Sequence, residues 1–383
     1  MPVPAQNPAD LVAWRHDFHR HPELLYDVFR TADRVAGLLQ LFGCDAVVPG
    51  IGRTGVVGLI HGRNQGRVIG LRADMDALPI HEASGVAHQS LAPGKMHACG
   101  HDGHMAMLLG AARQLCATRD FAGTAAVIFQ PAEEGGAGGK AMLDDGLMQR
   151  FGIEEVFGMH NMPGLPPGQF AIRPGAMLAA ADRFDIIIEG RGGHAAKPQD
   201  CIDPVLVGAQ IVTALQAIVA RSVDPLDACV ISVTRFEAGS AYNVIPQTAA
   251  LAGTVRTLVP ETRLLAERRL REVAAGIGAA HGAHVRVDYA QGYPVTRNHA
   301  AQTAFCAKVA AQVAGSPGID TSIAPVMGAE DFSYMLEARP GAFIFIGNGL
   351  SAGLHHPGYD FNDAVLPVGV DYWVKLVAAA LPV

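Results

Sequence analysis

The chain is poor in basic residues: 29 lysines and arginines are outnumbered by 36 aspartates and glutamates, for a formal net charge of −7. Nucleic acids and anionic membranes bind proteins through basic faces, so the composition argues against both kinds of partner. No C-x-x-C pair occurs, a pattern typical of free thiols in a reducing compartment. The six cysteines are Cys44, Cys99, Cys116, Cys201, Cys229 and Cys306.

The chain also lacks a recognisable targeting segment and an uninterrupted apolar run. Residues 1–10 contain neither the basic n-region nor the apolar h-region of a signal peptide. The longest apolar stretch, 205–220, is interrupted by Gln210, Thr213 and Gln216, so we expect a helix that faces a protein core rather than a membrane span. Together with the free thiols, these absences predict a cytoplasmic protein without a membrane partner.

What the chain does have is the composition of a globular protein, with 50% hydrophobic and 17% charged residues over 383 positions. This length predicts more than one domain. Residues 9–40 show helical periodicity, and the runs T-G-V-V-G-L-I-H-G and R-V-I-G-L-R-A-D-M-D are rich in Val and Ile and end in polar residues. Such runs are typical of buried parallel strands that deliver side chains to one sheet edge. The sequence therefore predicts an α/β fold.

The order of the predicted elements changes between residues 181 and 291, where it becomes β-α-β-β-α-β. This order is the ferredoxin-like arrangement, and the segment has a suitable size for one such unit with its loops. Its two helices are predicted at 203–222 and 261–280. We therefore predict a discontinuous domain of residues 1–180 and 292–383, interrupted by an inserted domain of residues 181–291.

The most polar short stretch is M-H-A-C-G-H-D-G-H-M at residues 96–105. Three interpretations fit it. Its polar side chains could cap the helix that follows. Cys99 could be a nucleophile with a histidine as its base. Alternatively, Cys99 and His101 could ligate a divalent metal, which thiolate and imidazole both suit. The stretch alone does not choose among these three.

Other ligand-capable residues favour the metal. Glu133 and Glu134 follow a predicted strand, where two adjacent carboxylates repel each other unless a cation lies nearby. A histidine in G-M-H-N and two in L-H-H-P also follow predicted strands. The candidate ligands are Cys99, His101, Glu134, His160 and either His355 or His356. A metal accounts for this recurrence at strand ends, whereas helix capping does not.

A set of longer motifs carries a family resemblance. In chain order they are R-A-D-M-D-A-L-P, M-H-A-C-G-H-D-G-H-M-A, Q-P-A-E-E-G-G, G-M-H-N, R-G-G-H-A-A-K-P, Y-N-V-I-P, G-T-V-R and M-G-A-E-D-F-S-Y-M. This combination resembles the amidohydrolases of peptidase family M20, which include hippurate hydrolases, N-acyl-amino-acid deacylases and auxin-conjugate hydrolases. The resemblance extends from F-H-R-H-P-E-L to L-H-H-P-G-Y-D-F-N-D.

The resemblance implies a metallo-exopeptidase-like catalytic domain with two divalent ions per subunit, which could be Zn, Mn, Co or Ni. The implied ligands are Cys99, His101, Glu134, His160 and His355. Glu133 matches the general base that takes a proton from the attacking water, and Asp76 matches an aspartate close to the metals. The second histidine of L-H-H-P, His356, stands where the family commonly has Asn or Ser. His356 therefore stays an alternative to His355 as the ligand.

The resemblance also implies that the inserted domain is a lid that dimerises, so a homodimer or a higher homo-oligomer is expected. His194 matches a histidine that reaches the active site of the neighbouring subunit and helps to stabilise the oxyanion. Asn243 and Arg256 match residues placed to contact the carboxylate end of the substrate. The expected substrate is a small N-acyl or N-aroyl L-amino acid. Two alternatives are a metal-independent Cys-His thiol hydrolase and a non-catalytic binding protein on the same fold.

Overall fold

The computed structural model describes residues 8–315 and 318–383, and these form two compact units. Unit 1 comprises the described residues up to Met177, 297–324 and 331–383, and unit 2 comprises residues 178–296 and 325–330. The helices are α1 (Pro8–Arg20), α2 (Phe29–Phe42), α3 (His101–Thr118), α4 (Gly138–Asp144), α5 (Leu147–Arg150), α6 (Pro204–Arg221), α7 (Pro260–His281), α8 (Ala300–Ala314), α9 (Phe332–Ala338) and α10 (Leu366–Ala380). The strands are β1 (Ala46–Ile51), β2 (Gly55–His61), β3 (Asn64–Asp74), β4 (Ala122–Gln130), β5 (Ile153–Pro163), β6 (Phe170–Ala171), β7 (Gly175–Leu178), β8 (Ala180–Glu189), β9 (Gly193–His194), β10 (Cys229–Ala238), β11 (Val244–Ile245), β12 (Thr248–Thr257), β13 (His284–Gln291), β14 (Thr296–Asn298), β15 (Ile319–Asp320) and β16 (Gly341–Gly349).

The sheet of unit 1 is mixed and has the strand order β1-β2-β4-β3-β5-β16-β6-β15. Strands β4, β3, β5 and β16 are neighbours and run parallel, whereas β2 is antiparallel to both β1 and β4. The prediction that T-G-V-V-G-L-I-H-G forms a parallel strand is therefore wrong. The connection from β1 to β2, where Gly52 and Arg53 have positive φ, is too short for the crossover that parallel pairing requires.

The core of unit 1 lies between this sheet and its helices. Helix α3 is buried along most of its length and packs against α1, α2 and α10. The helical region predicted over residues 9–40 is divided into α1 and α2. Helix α1 ends shortly before Pro22, whose ring cannot continue a helix, and α2 ends at Gly43, whose φ of 83° suits the left-handed closing turn.

Unit 2 contains an antiparallel sheet of order β10-β12-β8-β13, with α6 and α7 packed against it. The helix predicted at 203–222 is α6, which begins after Asp203 because that carboxylate accepts hydrogen bonds from the backbone N–H of Val205 and Leu206. By length and composition α6 could cross a membrane. One of its faces, which includes Ile211 and Leu215, is buried in the core of unit 2, as the sequence predicts.

The bounds of unit 2 differ from the predicted 181–291. The unit extends a few residues further at both ends and gains the returning segment 325–330. Backbone pairing explains this segment, because Leu178 forms a bridge with Val326 and the N–H of Ala179 donates to the carbonyl of Gly328 at 2.8 Å. No local sequence pattern marks such a pairing, since its partners are distant along the chain.

Candidate metal centre

The parallel strands of unit 1 bring most of the candidate ligands to one sheet edge. Cys99 lies two residues before His101, the first residue of α3, and Glu134 lies in the loop after β4. His355 lies in the loop after β16. The expectation that every ligand follows a strand is wrong for His160, which lies within β5, because the pairing of β5 with β16 continues as far as Pro163.

The five candidate ligands come together in two overlapping groups. The donor atoms of Cys99, Glu134 and His355 all lie within 4.8 Å of one another, and so do those of His101, Glu133 and Glu134. His160 joins them, because its Nε2 lies 3.4 Å from the Sγ of Cys99. The base candidate Glu133 is therefore beside the ligand candidates, although they come from four separate segments.

The buried Nε2 of His101 has no hydrogen-bond partner in the described structure, and Oε1 of Glu134 lies 3.3 Å from Nε2 of His355. The ring of His101 donates its Nδ1–H to the backbone carbonyl of Asp76 at 2.7 Å, which leaves a lone pair on Nε2. His160 is oriented in the same way, because its Nδ1 donates to the carbonyl of Asn161 at 2.7 Å. Two imidazoles whose Nδ1 atoms are hydrogen-bonded, together with a buried carboxylate and a thiol, fit a divalent metal.

The electrostatics of the cluster favour a cation over a free thiolate. Burial lowers the pKa of His101 and of His160, so both rings are neutral, as metal ligation requires. Burial, Glu134 and Glu133 together raise the pKa of Cys99 well above its ordinary value. A cysteine nucleophile needs the opposite shift, so this environment disfavours the thiol-hydrolase interpretation. A divalent cation between the donors would compensate the carboxylates and stabilise the thiolate.

Asp76 connects the two ligand segments. Its buried carboxylate accepts hydrogen bonds from the backbone N–H of Glu133 at 2.8 Å and of Glu134 at 3.1 Å, while its carbonyl orients His101. Burial and the negative charge of Glu134 raise the pKa of Asp76 well above its ordinary value. Asp76 therefore fixes the backbone of Glu133 and Glu134 and the ring of His101, all of which are candidate site residues.

Sequence reasoning missed Asp74 and His104. Both lie with His101 and His160 in a buried group whose donor atoms are all within 4.8 Å of one another. His104 Nδ1 lies 2.6 Å from Asp74 Oδ1. Burial opposes ionisation of Asp74, but His101, Arg72 and His104 lower its pKa well below the ordinary value. For His104 a signal was available, because it follows His101 by three residues on α3 and residues three apart share a helix face.

The structure distinguishes the two adjacent histidines of L-H-H-P. His355 has a φ of 64°, its N–H donates to the carbonyl of Ala98 at 2.8 Å, and its Nε2 lies 3.3 Å from Glu134 Oε1. The ring of His356 instead accepts a hydrogen bond from the backbone N–H of Gly358 at 3.0 Å. His355 is therefore the histidine that joins the cluster.

The other predicted site residues belong to unit 2. His194 is exposed on β9 opposite Val244 of β11, and the N–H of Ala195 donates to the carbonyl of Asn243 at 3.0 Å. His194 and Asn243 are thus neighbours. Arg256 lies in β12, where its Nη1 donates to the carbonyl of Val255 at 3.2 Å, and burial lowers its pKa. Their roles toward substrate stay predictions.

Comparison with known proteins gives matches over almost the whole chain. A family model described as peptidase family M20/M25/M40 matches residues 70–379. The chain is 41% identical over 362 residues to a hippurate hydrolase of Campylobacter jejuni, with 94% of each protein covered. It is 38% identical over 373 residues to an N-acetylcysteine deacetylase of Bacillus subtilis, with 97% of each covered. The crystal structure of a dinuclear metal-binding peptidase of the M20 family from Bacillus subtilis matches with a TM-score of 0.85 at 35% identity, covering 98% of both chains.

Proposed function

Because the chain belongs to peptidase family M20/M25/M40, we propose that it is a metal-dependent amidohydrolase that cleaves N-acyl or N-aroyl L-amino acids. The products are a carboxylic acid and a free amino acid. The observation that carries this proposal is the buried cluster in which His101 Nε2 has no hydrogen-bond partner in the described structure and the donor atoms of Cys99, Glu134 and His355 converge. The relatives named as a hippurate hydrolase and an N-acetylcysteine deacetylase support the substrate class.

Five residues would hold two divalent ions in this centre. They are Cys99, His101, Glu134, His160 and His355. Zn, Mn, Co or Ni would suit this mixture of thiolate, imidazole and carboxylate. When bound, such ions would supply Lewis-acid polarisation of the amide carbonyl and would lower the pKa of a bound water.

Glu133 is the proposed general base. Its carboxylate is buried beside His101 and Glu134, and its backbone is held by Asp76. A carboxylate in this position can take a proton from the attacking water and return it to the leaving amine. The adjacent pair thus divides into a base, Glu133, and a ligand, Glu134.

Unit 2 is the proposed ferredoxin-like lid and dimerisation domain. Its strand order β10-β12-β8-β13, with α6 after β8 and α7 after β12, supports this assignment. We propose that the protein is cytoplasmic and forms a homodimer or a higher homo-oligomer through this domain. Arg256 and Asn243 would bind the substrate carboxylate, for which a guanidinium is well suited. His194 would stabilise the oxyanion in the neighbouring subunit.

The His194 assignment predicts complementation between two inactive variants. His194→Ala and Glu133→Gln proteins, mixed under conditions that exchange subunits, are expected to regain activity well above that of either parent. In a mixed dimer, one site combines a wild-type Glu133 with the partner's wild-type histidine. Exchange is measured with two affinity tags, and each variant mixed with itself is the control. Parental activity despite proven exchange would show that His194 does not act across an interface.

The proposed reaction is tested with a substrate panel. Hippurate, N-acetyl-L-cysteine and other N-acyl L-amino acids are assayed before chelation, after it, and after each metal is returned. We expect chelation to lower kcat/KM by roughly 10²-fold or more and at least one of Zn, Mn, Co or Ni to restore it. N-acyl D-amino acids and ester analogues serve as matched controls for chirality and for the amide bond. Undiminished hydrolysis after complete metal removal would contradict the proposal.

A further inference from the structure

A second buried cluster of charged groups lies in unit 1, centred on Arg15 of α1. The Arg15 side chain is fully buried, and its guanidinium contacts carboxylates from two distant segments. Its Nε donates to Asp102 Oδ2 at 2.8 Å and its Nη2 donates to Asp360 Oδ1 at 2.5 Å, while Asp363 Oδ1 lies 3.5 Å from Nη1. His88 Nε2 also lies 3.0 Å from Asp360 Oδ1. One guanidinium therefore joins two parts of the chain that are far apart in sequence.

Both of these parts carry a candidate metal ligand. Asp102 directly follows His101 in the first turn of α3. Asp360 lies in the same loop as His355, directly after Tyr359. A fixed distance between the two carboxylates therefore helps to fix the distance between the two histidines.

The loop that carries His355 is attached to the rest of unit 1 at several points around that histidine. The side chain of His355 is 53% exposed and its backbone has a positive φ, so packing alone does not hold it. The backbone N–H of His355 donates to the carbonyl of Ala98 at 2.8 Å, and the N–H of Ala83 donates to the carbonyl of Pro357 at 2.8 Å. The Tyr359 hydroxyl accepts a hydrogen bond from Asn161 Nδ2 at 2.6 Å. The Arg15–Asp360 ion pair is one of several attachments of this loop, beside the buried side chains of Tyr359 and Phe361, and its guanidinium also contacts Asp102.

We propose that Arg15 is a positioning residue of the metal centre, which holds the His355 loop and the start of α3 in register so that both histidines reach the same site. This inference rests on the proposed function, because it presupposes a metal in the cluster. Removing a group that orients a metal ligand without itself binding the metal commonly weakens metal affinity by roughly 10- to 100-fold. Without Arg15, Asp102 would keep its contact with His19 at 2.8 Å and Asp360 its contact with His88 at 3.0 Å, but the guanidinium that joins the two carboxylates would be lost.

The same pair of helices offers a matched control. Arg113 of α3 donates from Nη1 to Asp10 Oδ2 of α1 at 2.6 Å. This ion pair also connects α1 to α3, but it lies toward the far end of α3 from His101. Arg113→Met therefore removes an ion pair between the same two helices, although a more exposed one, without touching the ligand segments. A purely structural role of Arg15 would make the two variants behave alike.

The experiment measures metal affinity and stability separately. Wild type, Arg15→Met, Arg15→Lys, Asp360→Asn and Arg113→Met are stripped with a chelator. Affinity for Zn²⁺ and Co²⁺ is then measured by competition with a chromophoric chelator, and the Tm of each metal-free protein is recorded. We expect Arg15→Met to weaken metal binding by roughly 10- to 100-fold, and Arg15→Lys and Asp360→Asn to weaken it less. Arg113→Met should bind metal like wild type even where its Tm falls.

Several outcomes would overturn the inference. Wild-type affinity in Arg15→Met would make the residue structural only, as would equal weakening in Arg113→Met. If Arg15→Met does not fold, the metal affinities of Arg15→Lys and Asp360→Asn test the proposal instead. Wild-type metal affinity in both variants would show that Arg15 does not position the metal ligands. A wild-type protein that binds neither metal would instead refute the proposed centre itself, which separates the two failures.

Discussion

Glu133→Gln is expected to lower kcat by about 10²- to 10⁴-fold while the metal content stays at the wild-type level. The amide has the shape of the carboxylate but cannot accept a proton from water at neutral pH. The backbone hydrogen bond from residue 133 to Asp76 does not depend on the side chain, so the loop should keep its position. The test measures two quantities: the metal content, by elemental analysis, and kcat with an N-acyl amino acid that the wild-type protein hydrolyses.

The neighbouring carboxylate supplies the matched control for this prediction. Glu134→Gln changes the same functional group one residue away, but it removes the negative charge of a candidate ligand whose Oε1 lies 3.3 Å from His355 Nε2. We expect this variant to lose metal as well as activity. A Glu133→Gln protein with wild-type kcat would exclude Glu133 as the base. Metal loss in Glu133→Gln equal to that in Glu134→Gln would make it a ligand instead.

Cys99→Ala is expected to weaken the binding of at least one metal ion and to lower kcat by roughly 10²-fold or more. The reason is that Cys99 Sγ is buried with Glu134 and His355 in one group of donor atoms. The measurements are metal affinity by chelator competition and kcat at saturating metal. An inactive Cys99→Ala protein that retains wild-type affinity for both ions would return the thiol-nucleophile interpretation to first place.

Alkylation of the wild-type protein gives an independent check on the role of Cys99. Burial and the nearby glutamates raise the thiol pKa, so in chelated protein the reaction with iodoacetamide should be slow at neutral pH and accelerate as the pH rises. Metal-loaded protein should resist modification at Cys99 across the same range, since a ligated thiolate is shielded. Peptide mapping separates this site from Cys201, which is partly exposed and serves as the internal reference.

Local signals explain why several elements were predictable. Asp203 caps the start of α6, and Gly282, with a φ of 72°, closes α7, so the helices predicted at 203–222 and 261–280 differ from the observed ones by single residues. Such signals act over a few neighbouring residues and are written in the sequence itself. By contrast, the direction of β2 depends on its partner strands, and the segment 325–330 joins unit 2 through pairing with residues far away in the chain.

The sequence by itself determined which kinds of side chain are available and in what order, because thiol, imidazole and carboxylate in long specific motifs already indicate a metal-dependent hydrolase. Tertiary structure alone decided which of these atoms converge. It placed His355, whose backbone φ is positive, in the cluster of candidate ligands. It also brought Asp74 and His104 close to His101 and His160. It also buried Arg15 between two ligand segments. The physical reason is that burial and convergence depend on contacts between distant segments, whereas composition, capping and motif spacing are local.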